Sequence, residues 1–174
     1  MRTRSNIAVF REGFFSLLRD TRGFMIAEQL ISIIFIGLLC IAVTAGLQAA
    51  MNSYGRITTQ TQADSMLSQA VEVVSDELVY ALEVEGDGAQ SDGNPLYFTS
   101  ATRHETAVLQ SREDGIWLNC SAAARLASTK DGLTPQLASL SYDADAGTWS
   151  FRITIERGTT TLADTTMTVK RIGS

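Results

Sequence analysis

A carboxylate stands where the sequence has almost no other polar atom. Glu28 lies inside "GFMIAEQLISIIFIGLLCIAV", Gly23–Val43, whose other side chains are nearly all apolar. An acidic group within a membrane-crossing helix costs about 2.5–3.5 kcal/mol on insertion scales, so it calls for a partner or a function. The alternative is a carboxylate parked at the headgroup boundary. An Arg-Gly pair, Arg22–Gly23, opens the same run. A bare anchor needs neither feature, and a signal peptide places its small residues after the apolar run rather than a glycine before it.

The other residues capable of chemistry come to less. His104 is the single histidine, set between Arg103 and Glu105. With no second histidine and no GxSxG it reads as a loop residue. Asp143, Asp145 and Gly147, and separately Asp87, Asp92 and Asn94, look like parts of a calcium loop. An EF-hand needs more oxygen ligands and a closing glutamate, so both stretches are expected to be turns. Cys40 and Cys120 show no CxxC spacing and read as small buried apolar side chains. No Walker or GxGxxG pattern is present. The expectation is a protein without catalytic residues, metal or cofactor.

The elements around Glu28 follow from hydropathy and charge. Leu30–Leu47 carries no charge over 18 residues, about 27 Å of helix, close to a bilayer's hydrocarbon thickness. Residues 1–23 hold five arginines against two acidic residues, a net +3; the remainder holds nine basic and seventeen acidic residues, a net −8. Basic residues beside a span stay in the cytoplasm, which predicts a single-pass protein of the cytoplasmic membrane with its C-terminal part outside. Within the leader, Val9, Phe10, Phe14, Phe15, Leu17 and Leu18 give an amphipathic stretch suited to the inner membrane face.

No glycine or proline stops the helix where it leaves the bilayer. Ile57, Leu67, Ala70, Val71, Val74, Leu78 and Leu82 recur at helical spacing, opposite Gln62, Asp64, Gln69, Glu72, Asp76 and Glu77. One helix is therefore expected from Phe24 to about Val84, weakest at Gly55. "EGDGAQSDGNP", Glu85–Pro95, ends it. Strand patterns follow at 96–100, 106–110, 115–119, 148–157 and 161–171, with a loop or short helix at Ala122–Leu137. Trp149, Phe151, Ile153 and Ile155 alternate onto one face that needs a cover, and the amphipathic helix offers one. The fold class is thus α+β, a long N-terminal helix packed on a C-terminal antiparallel sheet. The organisation reads as a leader (1–23), a transmembrane stem (24–50), an amphipathic continuation (51–84) and an outer sheet domain (85–174).

Gly23, Phe24 and Glu28, behind a basic leader and ahead of a long apolar helix, resemble the N-terminus of type IV prepilins and pseudopilins. That family usually reads G-F-T-L-I-E, often with a glycine at the position held here by Gly37. The likeness is tight over about thirty residues and extends to the helix-on-sheet architecture. It implies a prepilin peptidase that cuts after Gly23 and N-methylates Phe24, which keeps the ammonium positive. It implies too that Glu28 pairs with the Phe24 ammonium of an adjoining pilin or pseudopilin subunit, and that an inner-membrane assembly platform is a partner. Glycine suits a cleavage site where the chain must pass close to an enzyme. Ala42, Gly46 and Ala50 form a ridge of small residues along which neighbouring stems could approach, although small residues are also common in lone spans. Gly37 fits both the family pattern and an ordinary membrane glycine.

Two positions depart from the pattern. Gln29 follows the glutamate where an apolar residue is commoner, and Ala45 replaces a frequent proline, leaving the stem without a built-in kink. Both point towards a minor pilin or minor pseudopilin of a type IV pilus, a competence pilus or a type II secretion filament. The competing reading is an unprocessed single-span protein whose outer domain binds a ligand or partner; a tethered enzyme is a third. Nucleic acid is opposed by the −8 charge, although Arg152, Arg157, Lys170 and Arg171 could form a local patch.

Overall fold

The structure, a computed structural model, describes residues 21–91 and 93–172, and side chains from Met25 onward. The amphipathic part of the leader and Asp92 lie outside the described residues. The chain divides into two units, residues 1–55 and 56–174.

One helix, α1 (Thr21–Val79, 59 residues), belongs to both. In the first unit every described side chain from Met25 to Gly55 is exposed, including Leu30, Ile34, Phe35 and Ile41. A helix apolar all round and uncovered by the other described residues has the character of a membrane span, and α1 is long and apolar enough to cross one. The hydrogen-bonded helix continues through Gly55, where an added Cβ would meet nothing.

In the second unit α1 becomes one-sided. Ala63, Ala70, Val74 and Leu78 are buried, with Leu67 and Val71 packed beside them. Ile57, assigned to that face by spacing, is 66% exposed. The helix ends at Val79 rather than Val84. A tight turn closes it through Ala81 N–H to the Leu78 carbonyl (3.4 Å). The chain then leaves for the sheet: Leu82 N–H donates to Thr99 O (2.9 Å) and Thr99 N–H to Glu83 O (2.8 Å). Strand pairing overrides a helical pattern that the side chains of Leu82 and Val84 would have continued.

The rest is antiparallel. β1 (Val84–Glu85), β3 (Tyr97–Thr99), β4 (Thr106–Arg112), β5 (Gly115–Asn119) and β6 (Ala124–Ser128) form one sheet in the order β1-β3-β4-β5-β6. β2 (Gly88–Ala89), β7 (Thr134–Asp143), β8 (Thr148–Arg157) and β9 (Thr160–Lys170) form the other, in the order β2-β7-β8-β9. The fold is α+β as the pattern predicts, but with two sheets rather than one.

The expected loop or short helix at Ala122–Leu137 is instead strand β6 of the first sheet, a turn, and the start of β7 in the second. The signal was hidden by a register shift between Leu137 and Ser139. Pro135 and Leu137 face inward on one side of that bulge, Leu140 and Tyr142 on the other, so the period of two is broken in the middle. Pro135 is tolerated because β2 is too short to pair with β7 there.

Both sheets share one core with α1. Trp149 is fully buried, 4.6 Å from the Tyr142 ring and edge-on to Phe98 of the first sheet at 5.8 Å. Gln90 ties the sheets directly: its N–H donates to Leu140 O (2.8 Å) and its Nε2 to Leu109 O (2.8 Å). Ser111 Oγ accepts the Leu137 N–H freed by the bulge (2.6 Å).

Candidate functional site

The segment singled out by sequence lies at the start of α1. The backbone of Gly23 and Phe24 is already helical, in the turn that begins at Thr21. Glu28 stands one turn further on, exposed on the helix surface. Among the described residues nothing hydrogen-bonds or ion-pairs with its carboxylate. Its neighbours along the helix are the exposed Met25, Ile31 and the rest of the apolar run. The arrangement is a single negative charge near one end of an otherwise apolar cylinder, without a partner among the described residues.

The small residues of the stem are equally uncommitted. A Cβ added at Gly37 or Gly46 would have no atom within 4 Å, and Ala42 and Ala50 are exposed. Nothing among the described residues requires their smallness. Cys40 is free and exposed on the same helix, where its carbonyl accepts the Thr44 hydroxyl (2.8 Å).

The remaining candidates resolve into architecture. Asp143 Oδ1 accepts the Ala146 N–H (2.9 Å), and Asp87 Oδ1 accepts the Ala144 N–H (3.0 Å). Pairing of β2 with β7 brings these two acidic turns together, with Oδ1 of Asp87 and of Asp143 used in holding the turns. Among the described residues no group of three metal-ligating side chains occurs. His104 is an exposed turn residue with φ of 55°, its N–H donating to Ser100 O (2.8 Å). Cys120 is free, its thiol 3.2 Å from Ala122 O.

The basic residues of the last two strands do not gather. Arg157 and Lys170 lie at opposite ends of the β8–β9 hairpin, since Arg157 pairs with Thr160 and Thr148 with Lys170. Arg152 is bound to Asp164 (2.6 Å), Arg157 reaches Asp131 O (3.3 Å), and Arg171 donates to Leu82 O (2.8 Å).

Two clusters were not visible in the sequence. Glu77, on the last turn of α1, is 8% exposed and takes hydrogen bonds from Ser100 and Thr102. On the first sheet, Trp117 lies under the guanidinium groups of Arg112 (4.7 Å) and Arg125 (5.8 Å) and donates Nε1–H to Asp114 (2.7 Å). Cross-strand register puts Gln110, Trp117 and Arg125 side by side, a relation that emerges only once β6 is recognised. Comparison with family models, with curated proteins and with solved structures found no match.

Proposed function

We propose that this chain is a structural subunit of minor-pilin or minor-pseudopilin type, made as a membrane-anchored precursor and assembled into an extracytoplasmic filament. One observation carries the reading: Glu28 heads an exposed apolar helix without a partner among the described residues, four positions beyond Phe24. Cutting that bond creates the missing cation. The new α-ammonium of Phe24, kept positive by N-methylation, belongs to a chain end that a neighbouring stem brings beside Glu28. In the low dielectric of packed stems such a pair fixes axial register, whatever its net stability. The α+β outer unit then presents its surface away from the membrane, on the acidic side of the charge division. Prepilin peptidase, sibling subunits and the inner-membrane assembly platform are the partners this reading requires.

Because Gly23 and Phe24 lie in the first turn of α1, cleavage requires that turn to unwind in the peptidase. Glycine lowers the helix preference at the bond to be cut.

Intact-mass measurement on the chain recovered from cells with an active prepilin peptidase tests the proposal. The expected species begins at Phe24 and carries one additional methyl group, and Gly23→Asp leaves the precursor uncut. A wild-type chain that keeps residues 1–23 under those conditions would instead leave a single-span protein with a tethered helix-and-sheet module.

A further inference from the structure

Glu28 and Arg56 are successive charges in the sequence: nothing ionisable as an acid or base separates them except the Cys40 thiol and the Tyr54 phenol. Both lie on α1. Along a helix they stand about 42 Å apart, which matches the roughly 40–45 Å of a bilayer with its headgroup layers. While Glu28 has no counter-charge, the least costly place for it is one headgroup layer, and Arg56 then reaches the other. Tyr54 and Ile57 flank that level, 74% and 66% exposed. Headgroup layers take up such aromatic and apolar side chains, which gives Ile57 the surroundings it lacks in its own unit.

Thr59 follows Arg56 by about 4.5 Å of helix. Its hydroxyl accepts a hydrogen bond from Arg157 Nη1 (3.4 Å), and Arg157 Nη2 donates to the Asp131 carbonyl (3.3 Å). Two turns of the second unit, Lys130–Leu133 and Arg157–Thr160, therefore meet beside its first residues, and Lys130, Asp131, Gly158 and Thr159 are exposed there. This base holds Arg56, Lys130 and Arg157 against Asp131 and Glu156, a net +1. Among the described residues the side chains of Arg56 and Lys130 have no ion pair or hydrogen bond. β9 runs about 33 Å from Thr160 to Lys170. At that far end Glu83, Glu85, Asp87, Asp143 and Asp145 face only Lys170 and Arg171, a net −3.

We infer that the base of the second unit, formed by Arg56, Lys130 and the Arg157–Thr160 turn, is a docking surface for the anionic phospholipid headgroups of the membrane that α1 crosses. A negative membrane surface attracts basic side chains within a Debye length, about 8–10 Å, and the base lies inside that range of the Arg56 level. The acidic far end lies beyond it and is turned outward by the same field. Exposed hydroxyls of Thr159 and Thr160 add donors suited to phosphate oxygens. The placement holds whichever way the chain bends at Gly55, since Thr59 is only four residues further on. The inference rests on α1 spanning a membrane and does not depend on whether Gly23 is processed.

Fluorescence quenching of the full chain in vesicles tests this, with Cys40 and Cys120 changed to alanine and a single bimane-labelled cysteine introduced at a time. The vesicles hold phosphatidylglycerol and phosphatidylcholine in equal parts, with some lipid spin-labelled at the headgroup. Thr159→Cys should be quenched at least about threefold more than Asp145→Cys at the far end. Replacing phosphatidylglycerol with phosphatidylcholine should cut the Thr159→Cys quenching at least about twofold, and so should adding Arg56→Gln with Lys130→Gln. Ile34→Cys, read against lipid labelled in the acyl chain, reports the span itself. Equal quenching at 159 and 145, or quenching at 159 indifferent to lipid charge or to the two glutamines, would overturn the docking while Ile34→Cys still reports a span. An unquenched Ile34→Cys would overturn span and docking together. Unchanged tryptophan-fluorescence melts confirm that each variant is folded.

Discussion

The carboxylate of Glu77 and the hydroxyl of Ser100 are hydrogen-bonded in the interior, across the join between α1 and the first sheet. Thr102 Oγ1 reaches the same carboxylate at 3.1 Å, and Ser100 Oγ also accepts the Arg103 N–H (3.1 Å). A negative charge in the last turn of a helix opposes the helix dipole, so these hydroxyls are what make the burial of Glu77 tolerable. Ser100→Ala removes one of them and leaves a hydrogen-bonding vacancy on a buried carboxylate. The expected loss is about 1.5–3 kcal/mol. Glu77→Gln, uncharged and of similar shape, should lose less. Urea unfolding followed by tryptophan fluorescence checks both, since Trp117 and Trp149, the two tryptophans of the chain, lie in the second unit.

Gly115 and Gly158 both have positive φ, at 132° and 61°, but only one of them is hemmed in. A Cβ on Gly115 would stand 1.9 Å from the Ala127 carbonyl oxygen, whereas one on Gly158 meets nothing within 4 Å. Backbone cannot yield as a flexible side chain does. Gly115→Ala should therefore destabilise the second unit by about 2–4 kcal/mol and loosen the β5–β6 pairing. Gly158→Ala should cost about 1 kcal/mol, the price of a left-handed conformation alone. Equal midpoints for the two variants in the same urea titration would contradict the packing argument.

Asp114 should titrate below the ordinary aspartate value of 3.8. The chief cause is the Trp117 Nε1–H bond; desolvation opposes it, and the Asp114 backbone and Arg125 add smaller lowering contributions. A depressed carboxyl stabilises the fold above its unfolded pKa, and that contribution is lost as pH falls through the lower, folded value. The cluster should thus hold through the ordinary acid range and open only below 3.8. Trp117→Phe removes the leading cause, so the Asp114 midpoint should move up towards 3.8. Carboxyl carbon NMR of the side chain reads this directly, and an unchanged midpoint would assign the effect elsewhere.

What the sequence made legible follows from where periodicity was clean. Trp149, Phe151, Ile153 and Ile155 alternate without interruption, and all four are buried. Val74 and Leu78 keep helical spacing and sit in the core beneath them. β7 was missed because its bulge reverses inside and outside halfway along, and β6 because Ala124–Ser128 has no β-branched residue to signal a strand. Leu82 and Val84 continue the helical pattern in sequence, but pairing with the Thr99 and Phe98 backbone decides their conformation. The Glu77 cluster joins residues 23 and 25 positions apart, and the Trp117 cluster depends on pairing with β6, the strand the pattern did not signal, so neither stood out in the sequence. Gly23 and Glu28 stand out in the sequence for the opposite reason: their distinctiveness is chemical and local, a charge where charge is costly.

Replacing Glu28 separates the two events that the proposed function assigns to the stem. The peptidase acts at Gly23, five residues before the carboxylate, so Glu28→Ala should leave cleavage largely intact. Insertion should improve, if anything, because the replacement removes a charge costing about 2.5–3.5 kcal/mol. Incorporation should fall sharply, because the incoming Phe24 ammonium would be buried without its counter-charge, and a broken buried pair costs about 3–5 kcal/mol. Glu28→Gln keeps the shape and removes the charge, so it distinguishes pairing from packing. If pairing dominates, the glutamine variant should assemble as poorly as the alanine one. The measurement is the ratio of filament-associated to membrane-bound chain in sheared and unsheared fractions, with cleavage scored by mass in the same samples. Wild-type incorporation of both variants would mean that Glu28 is a headgroup-boundary carboxylate, and that stems align by their apolar surfaces alone.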